Sequence, residues 1–146
     1  MATLTADVAV VFDPSHNIGL RQFPTDAADT WFRGGLSHHT ASTATLTPAA
    51  TEFFLGVNME HLVAAAAAEM VWVATSGRFH FACANFEVGD LDVLMQMPAA
   101  ALFDNPADLD DAAVGAAGGV GVLDQVTVTA STGWLDISRR VAATNT

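Results

Sequence analysis

The sequence predicts an all-β fold, and three observations carry that expectation. Residues 71–82 (VWVATSGRFHFA) set two alternating apolar runs on either side of Ser76-Gly77. Val71, Val73, Phe79 and Phe81 keep the period of two that places one face of a ribbon in a core, and Ser76-Gly77 suits a tight hairpin. Residues 120–137 repeat the arrangement: Val120, Val122, Val126 and Val128 lead through Ser131-Thr132-Gly133 into Trp134-Leu135-Asp136-Ile137. The rest of the chain breaks into short β-capable runs ended by Asp13-Pro14, Gly34-Gly35 and Pro98. These features predict a small β-sandwich or partly open β-barrel of about seven or eight strands, with an N-terminal arm and one or two short helical turns.

Each element follows in order. Residues 6–12 read as a first strand, stopped by Asp13-Pro14. Residues 17–24 form an irregular apolar segment in which polar residues separate Ile18, Leu20 and Phe23. Residues 1–25 are therefore assigned to an N-terminal arm or first strand and residues 26–146 to the β domain. Residues 30–36 (TWFRGGL) predict a strand ending in a glycine turn or bulge. A Thr/Ser/Ala run over 40–51 follows, with β-capable Thr at 43, 45 and 47, and residues 52–59 form the next strand candidate. Residues 60–69 contain Glu60-His61-Leu62-Val63 and five Ala, which favour a helix by propensity, but a segment this short is marginal alone. Helical turns and an ordered loop both remain open there.

Glu87-Val88-Gly89-Asp90 predicts a turn and residues 91–97 a strand. Asn105-Pro106 places a capping residue before a proline at the first helical position, predicting a short helical turn or an acidic loop. Four glycines over residues 115–121 suggest a flexible connection or a close backbone approach. Trp31, Phe53, Val73, Phe79, Phe81 and Trp134 are the expected core.

Composition narrows the chemistry. With 146 residues the chain is sized for one domain, able to bury roughly two-thirds of its unfolded surface without a metal or disulfide. Apolar residues make up 51%, yet 28 are Ala, so the core rests on the larger side chains. The net charge is −11, from 16 acidic residues and five Arg with no Lys, which argues against nucleic acid and anionic membranes as partners. Cys83 is alone, so it forms no internal disulfide; its setting reads as a small buried strand residue. The first 20 residues lack Lys and Arg, and the longest apolar run, 62–68, is too short to span a bilayer. The expected place of synthesis is the cytoplasm.

Candidate catalytic and metal groups do not assemble in the sequence. His38, His39, His61 and His80 lack the spacing of a zinc site, because adjacent residues on a strand point opposite ways and His80 stands alone between Phe79 and Phe81. There is no G-x-S-x-G elbow, and no Lys follows the glycines at 115–121 as a phosphate loop requires. The pairs Asp90/Asp92 and Asp108/Asp110/Asp111 lack the spacing and glycine of a calcium loop. No catalytic residue, metal ligand or cofactor is assigned. Ile18, Leu20, Phe23 and Phe103 are instead apolar residues in irregular segments, as at partner surfaces.

The order of TWFRGGL (30–36), FFLGVNME (53–60), VWVATSGRFHFA (71–82), VGVLDQVTVT (120–129) and GWLDIS (133–138) resembles the phage head decoration, or capsid cement, proteins. The likeness covers roughly residues 30–138. It departs from the pattern in the Ala run at 64–68, the longer 104–111 loop and the first 25 residues. The resemblance implies a non-enzymatic virion structural protein on the outer surface of the head, without cofactors. It also implies the major capsid protein as partner, self-association as a homotrimer at symmetry axes, and non-covalent stabilisation of the shell. The N-terminal segment, with Phe12, Ile18, Leu20, Arg21 and Phe23, is the expected capsid or subunit interface. A tail or fibre subunit and a cupin-like metal-binding enzyme are the alternatives.

Overall fold

The computed structural model describes residues 4–40, 42–46, 53–97, 104–111 and 119–139. The early strands are β1 (Val11–Phe12), β2 (Leu20–Pro24), β3 (Thr30–Trp31), β4 (Leu36–Thr40), β5 (Thr43–Thr45) and β6 (Phe53–Asn58). The later ones are β7 (Leu62–Val63), β8 (Met70–Ala74), β9 (Arg78–Ala82), β10 (Leu94–Gln96), β11 (Gly119–Thr127) and β12 (Thr132–Asp136). The fold is all-β, with twelve short strands among the described residues in place of the seven or eight expected. Thr47, Pro98, Phe103 and the glycines at 115 and 118 lie outside the described residues.

The strands form two five-stranded antiparallel sheets, β1-β9-β12-β11-β10 and β2-β8-β6-β4-β5, and a two-stranded ribbon, β3-β7. The first core lies between the sheets. Leu36, Phe54, Val57 and Ala74 of the second sheet meet Phe79, Phe81, Val120, Leu123 and Leu135 of the first, with Phe86, Met97, Leu109 and Ile137 from the adjoining loops. The second core lies on the other face of the second sheet, where Leu55, Val71 and Val73 pack with Ala44, Leu46, Ala64 and Trp31. The ribbon supplies Trp31 and Leu62 to it. The two end strands of this sheet approach at a parallel bridge between Thr25 and Ala44, where the Asp26 N–H donates to the Ala44 carbonyl at 3.0 Å. The second sheet thus curls around its own core without closing into a barrel.

A bulge makes the two cores compatible with one strand. Leu36 pairs with Val57 and Ser37 with Gly56, but His38 pairs with Phe54, so Leu55 is the extra residue on β6. Phe54 and Val57, three apart, therefore both serve the inter-sheet core while Leu55 serves the other.

Three expectations are corrected, and one left open is decided. Residues 71–82 are not a hairpin: β8 belongs to the second sheet and β9 to the first, and Ser76-Gly77 turns the chain between layers. Gly77 sits at φ +127°, a conformation open to glycine. Its N–H donates to the Ser138 hydroxyl at 2.9 Å, and Gly19 N–H donates to the Ser76 hydroxyl at 2.8 Å, so the corner is tied to both sheets. Of the two possibilities open at residues 60–69 the ordered loop forms, with β7, bends and a turn, and Leu62 and Ala64 are drawn into the second core. Phe53 is 61% exposed and Phe54 takes the core place. Trp134 lies on the outer face, since its neighbours Gly133 and Leu135 are the inward phase of β12.

The hairpin at 120–137 does form, β11 pairing with β12 from Val122↔Asp136 to Thr127↔Thr132. Its turn is a 3-10 turn over Val128–Ala130, and the left-handed residue is Ser131 at φ 52°. The expected short helical turn also forms over Pro106–Asp108, where the Asn105 side chain accepts the Ala107 N–H at 3.0 Å.

Candidate interaction surface

β1 and β2 each form the free end of a sheet, β1 against β9 and β2 against β8. Since β8 runs directly into β9, the two end strands lie on the same side of the molecule. The segment linking them, 13–19, follows the β8–β9 corner: Thr75 N–H donates to the Gly19 carbonyl at 2.8 Å, and Asp13 N–H to the Arg78 carbonyl at 2.9 Å. The N-terminal residues 11–24 are therefore built into both sheets.

Pairing decides which way their side chains face, because directly opposed residues share a face. Phe12 opposes Phe79 and faces the inter-sheet core, but at the end of the sheet it remains 43% exposed. Leu20 opposes Ala74, Gln22 opposes Trp72 and Pro24 opposes Met70, so this row also lies on the inter-sheet side of its own sheet. Leu20 is 51%, Met70 45% and Trp72 41% exposed. Arg21 and Phe23 take the opposite face. Phe23 packs against the second core, and the exposed Arg21 guanidinium lies 5.4 Å from its ring centre.

The five residues of the expected interface thus divide. Phe12, Leu20 and Arg21 are exposed, whereas Ile18 and Phe23 pack against the first and second cores respectively. Met70 and Trp72 join the surface from β8. Their signal in the sequence was their phase, opposite to Val71 and Val73.

Hydrogen bonding limits what this edge offers. Thr25 N–H donates to the Glu69 carbonyl at 2.7 Å and the Gly19 carbonyl accepts from Thr75, so the odd-numbered residues of β2 turn their backbone groups toward β8. Leu20, Gln22 and Pro24 turn theirs outward, and Pro24 has no N–H. Only Leu20 and Gln22 can donate along the open edge, a short stretch that discourages indiscriminate strand pairing. No carboxylate occurs in residues 14–25 or 70–86 of a chain with net charge −11.

A polar clamp stands on the outer face of the first sheet. Arg78 donates from Nε and Nη2 to the Asp124 carboxylate at 2.7–2.9 Å and from Nη1 to Asp13 at 3.1 Å, and its guanidinium lies 4.5 Å from the Trp134 ring centre. His80 meets the same indole edge-on at 5.1 Å. Hydrogen bonds from the Ser15 hydroxyl and N–H, with the nearby charges of His16 and Arg78, bring the Asp13 carboxyl down to about 2. The clamp joins the β1 end to β9, β11 and β12, and every group in it is engaged.

The remaining candidate groups are dispersed. His38 is buried edge-on against Phe54, with ring centres 5.8 Å apart, and His61 lies 2.7 Å from Asp7. Among the described residues no group of three or more His, Cys, Asp or Glu is arranged to hold a metal. Cys83 is buried, its thiol donating toward the carbonyls of Ala107 and Leu109 at 3.3 and 3.2 Å, and burial pushes its pKa up. Among the described residues no helix is long and apolar enough to cross a membrane. No protein-family model, no curated protein and no solved structure matches the chain.

Proposed function

We propose that this protein is a capsid decoration protein, attached without covalent chemistry to the outer surface of a phage head, and that it is not an enzyme. The observation that carries the reading is the exposed apolar row along β1, β2 and β8: Phe12, Leu20, Met70 and Trp72 are 43%, 51%, 45% and 41% exposed. Exposed apolar side chains that adjoin one another are a mark of partner surfaces, and Phe53, Val63, Val88 and Val128 are further exposed apolar residues on other elements. The major capsid protein is the proposed partner, with copies of this chain arranged about a symmetry axis. The resemblance of the ordered β segments supports the same reading. Binding that favours the assembled shell over its parts stabilises it by mass action.

Antibody against the purified protein, applied to virus particles from cells expressing the gene, should label the outer head. Label confined to tails or fibres, or to the particle-free fraction, would overturn the proposal. Heads stripped of the protein should rupture at lower temperature, and adding it back should restore them without metal or nucleotide. Leu20→Glu and Trp72→Glu should lower head occupancy at least tenfold while melting within a few degrees of wild type.

A further inference from the structure

The outer edge of β1 is open, and the alternation along residues 8–12 decides what it presents. Asp13 N–H donates to the Arg78 carbonyl at 2.9 Å and Val11 opposes His80, so the odd-numbered residues turn their backbone groups toward β9. Val8, Val10 and Phe12 turn theirs to the other side. Val8 N–H finds the Arg33 carbonyl there at 2.7 Å, and the Val8 carbonyl lies over Gly34, where a Cβ would stand 2.3 Å from its oxygen. Residues 33–34 thus close the edge beside Val8. Beyond them β1 is the end of its sheet, and among the described residues no hydrogen bond reaches the Val10 or Phe12 backbone.

An open cleft of about 350 Å³ lies at this junction, lined by Asp7, Val8, Ala9, Val10 and Arg33. Arg33 is exposed, and among the described residues its guanidinium makes no hydrogen bond or ion pair, whereas Arg78 is engaged in the clamp and Arg21 lies over Phe23. Asp7 feels the Arg33 charge, but its carboxylate accepts the Arg33 N–H at 3.0 Å and lies 2.7 Å from the His61 ring.

We propose that this cleft binds a carboxylate side chain, Asp or Glu, carried on an extended segment of another protein that lies along the free edge of β1. The Arg33 guanidinium supplies the paired donors that a carboxylate accepts, and the Val10 and Phe12 backbone groups pair with the backbone of the segment. Pro14 has no N–H, so the paired stretch is short. Asp7 narrows the choice of anion, because its charge beside Arg33 suits a singly charged ligand and repels a phosphate carrying nearly two charges. The net charge of −11 keeps the affinity for an acidic segment modest. The cleft lies apart from the Leu20, Met70 and Trp72 row of β2 and β8, so it takes its partner independently of that row.

Titration of the isotope-labelled full chain with the peptide acetyl-Thr-Val-Glu-Val-Thr-amide, followed by NMR, tests this. The Val8, Val10, Phe12 and Arg33 amides should shift with a saturable Kd of about 1 mM while the Leu135 amide stays in place. The same peptide with Gln for Glu, and sodium acetate, should each bind at least about tenfold more weakly. Arg33→Gln should lose the preference for the Glu peptide and melt within a few degrees of wild type, since the side chain it replaces makes no hydrogen bond. Absence of saturable shifts, shifts that spare Val10 and Phe12, or a Glu preference that survives Arg33→Gln would overturn the proposal. So would acetate or the Gln peptide binding as tightly as the Glu peptide.

Discussion

Residues 71–82 and 120–137 look alike in sequence and differ in the fold. Both set alternating apolar runs about a small-residue turn, yet β11 and β12 form a hairpin while β8 and β9 part into different sheets. What separates them is the partners available to each strand. β8 finds β2 and β6, and β9 finds β1 and β12, so neither needs the other. In the hairpin the inward phase of β12 is Gly133 and Leu135, with Ile137 just beyond the strand, all against one core. Across the corner the alternation serves two cores, Val71 and Val73 behind the second sheet and Phe79 and Phe81 between the sheets. Alternation shows that a strand has two faces, but the strands beside it decide which core each face meets.

The largest test of this comparison is truncation at the shared core. Phe79→Ala on β9 and Leu135→Ala on β12 are directly paired and fully buried, and each should destabilise the chain by about 3–5 kcal/mol in denaturant titration. Their effects should not add, since they leave adjoining space. A loss below about 1 kcal/mol at both would show that the assigned phase is wrong.

The outer clamp is the next test, because it spans the end strand that the corner creates and the hairpin. Arg78→Ala should cost about 1–2 kcal/mol, and Arg78→Lys part of that, since lysine cannot make the paired bonds to Asp124. Asp13 gives the clamp a pH signature. Its pKa is lowered to about 2, so its stabilisation is present above the ordinary carboxylate range and is lost as pH falls from about 4 to about 2. The Ser15 hydroxyl is the first cause of that lowering, so acid titration of Ser15→Ala should show a shallower loss in that window than wild type.

The two turns should respond with opposite signs to substitution. Gly77→Ala places a side chain at φ +127° and should cost about 1–3 kcal/mol, whereas Ser131→Gly relieves a left-handed serine and should stabilise by up to about 1 kcal/mol. The smallest effect belongs to Phe53→Ala, expected within about 0.5 kcal/mol because its ring lies largely in solvent. Thermal melts of the three variants would rank them.

Removal of residues 1–24 sharpens the same contrast. Were this segment a detachable arm, its loss would leave a folded domain. Here it would strip the end strand from each sheet and uncover the places where Ile18 and Phe23 pack, so loss of the cooperative transition is the expected result.

Much of the fold was legible because it depends on local chemistry. The period of two, the β-branched runs, the Gly34-Gly35 turn and the Asn105-Pro106 cap require only neighbours in sequence. Likewise, the burial of Trp31, Val73, Phe79 and Phe81 follows from strand phase and size. The surface was half-legible: Phe12, Leu20 and Arg21 are exposed, but Ile18 and Phe23 are drawn into cores by contacts that no local pattern encodes.

By itself the sequence determined that the chain is β-rich and strongly acidic, and where most of its strands fall. Tertiary structure alone decided that β8 and β9 part, that residues 60–69 form β7 with bends and a turn, and that Trp134 faces outward while Phe54 displaces Phe53. The physical reason is that strand propensity is local, whereas pairing and layering are settled by strands distant in sequence that compete for one backbone edge. Once the second sheet curled about its own core, each strand's two faces were assigned by what lay above and below it.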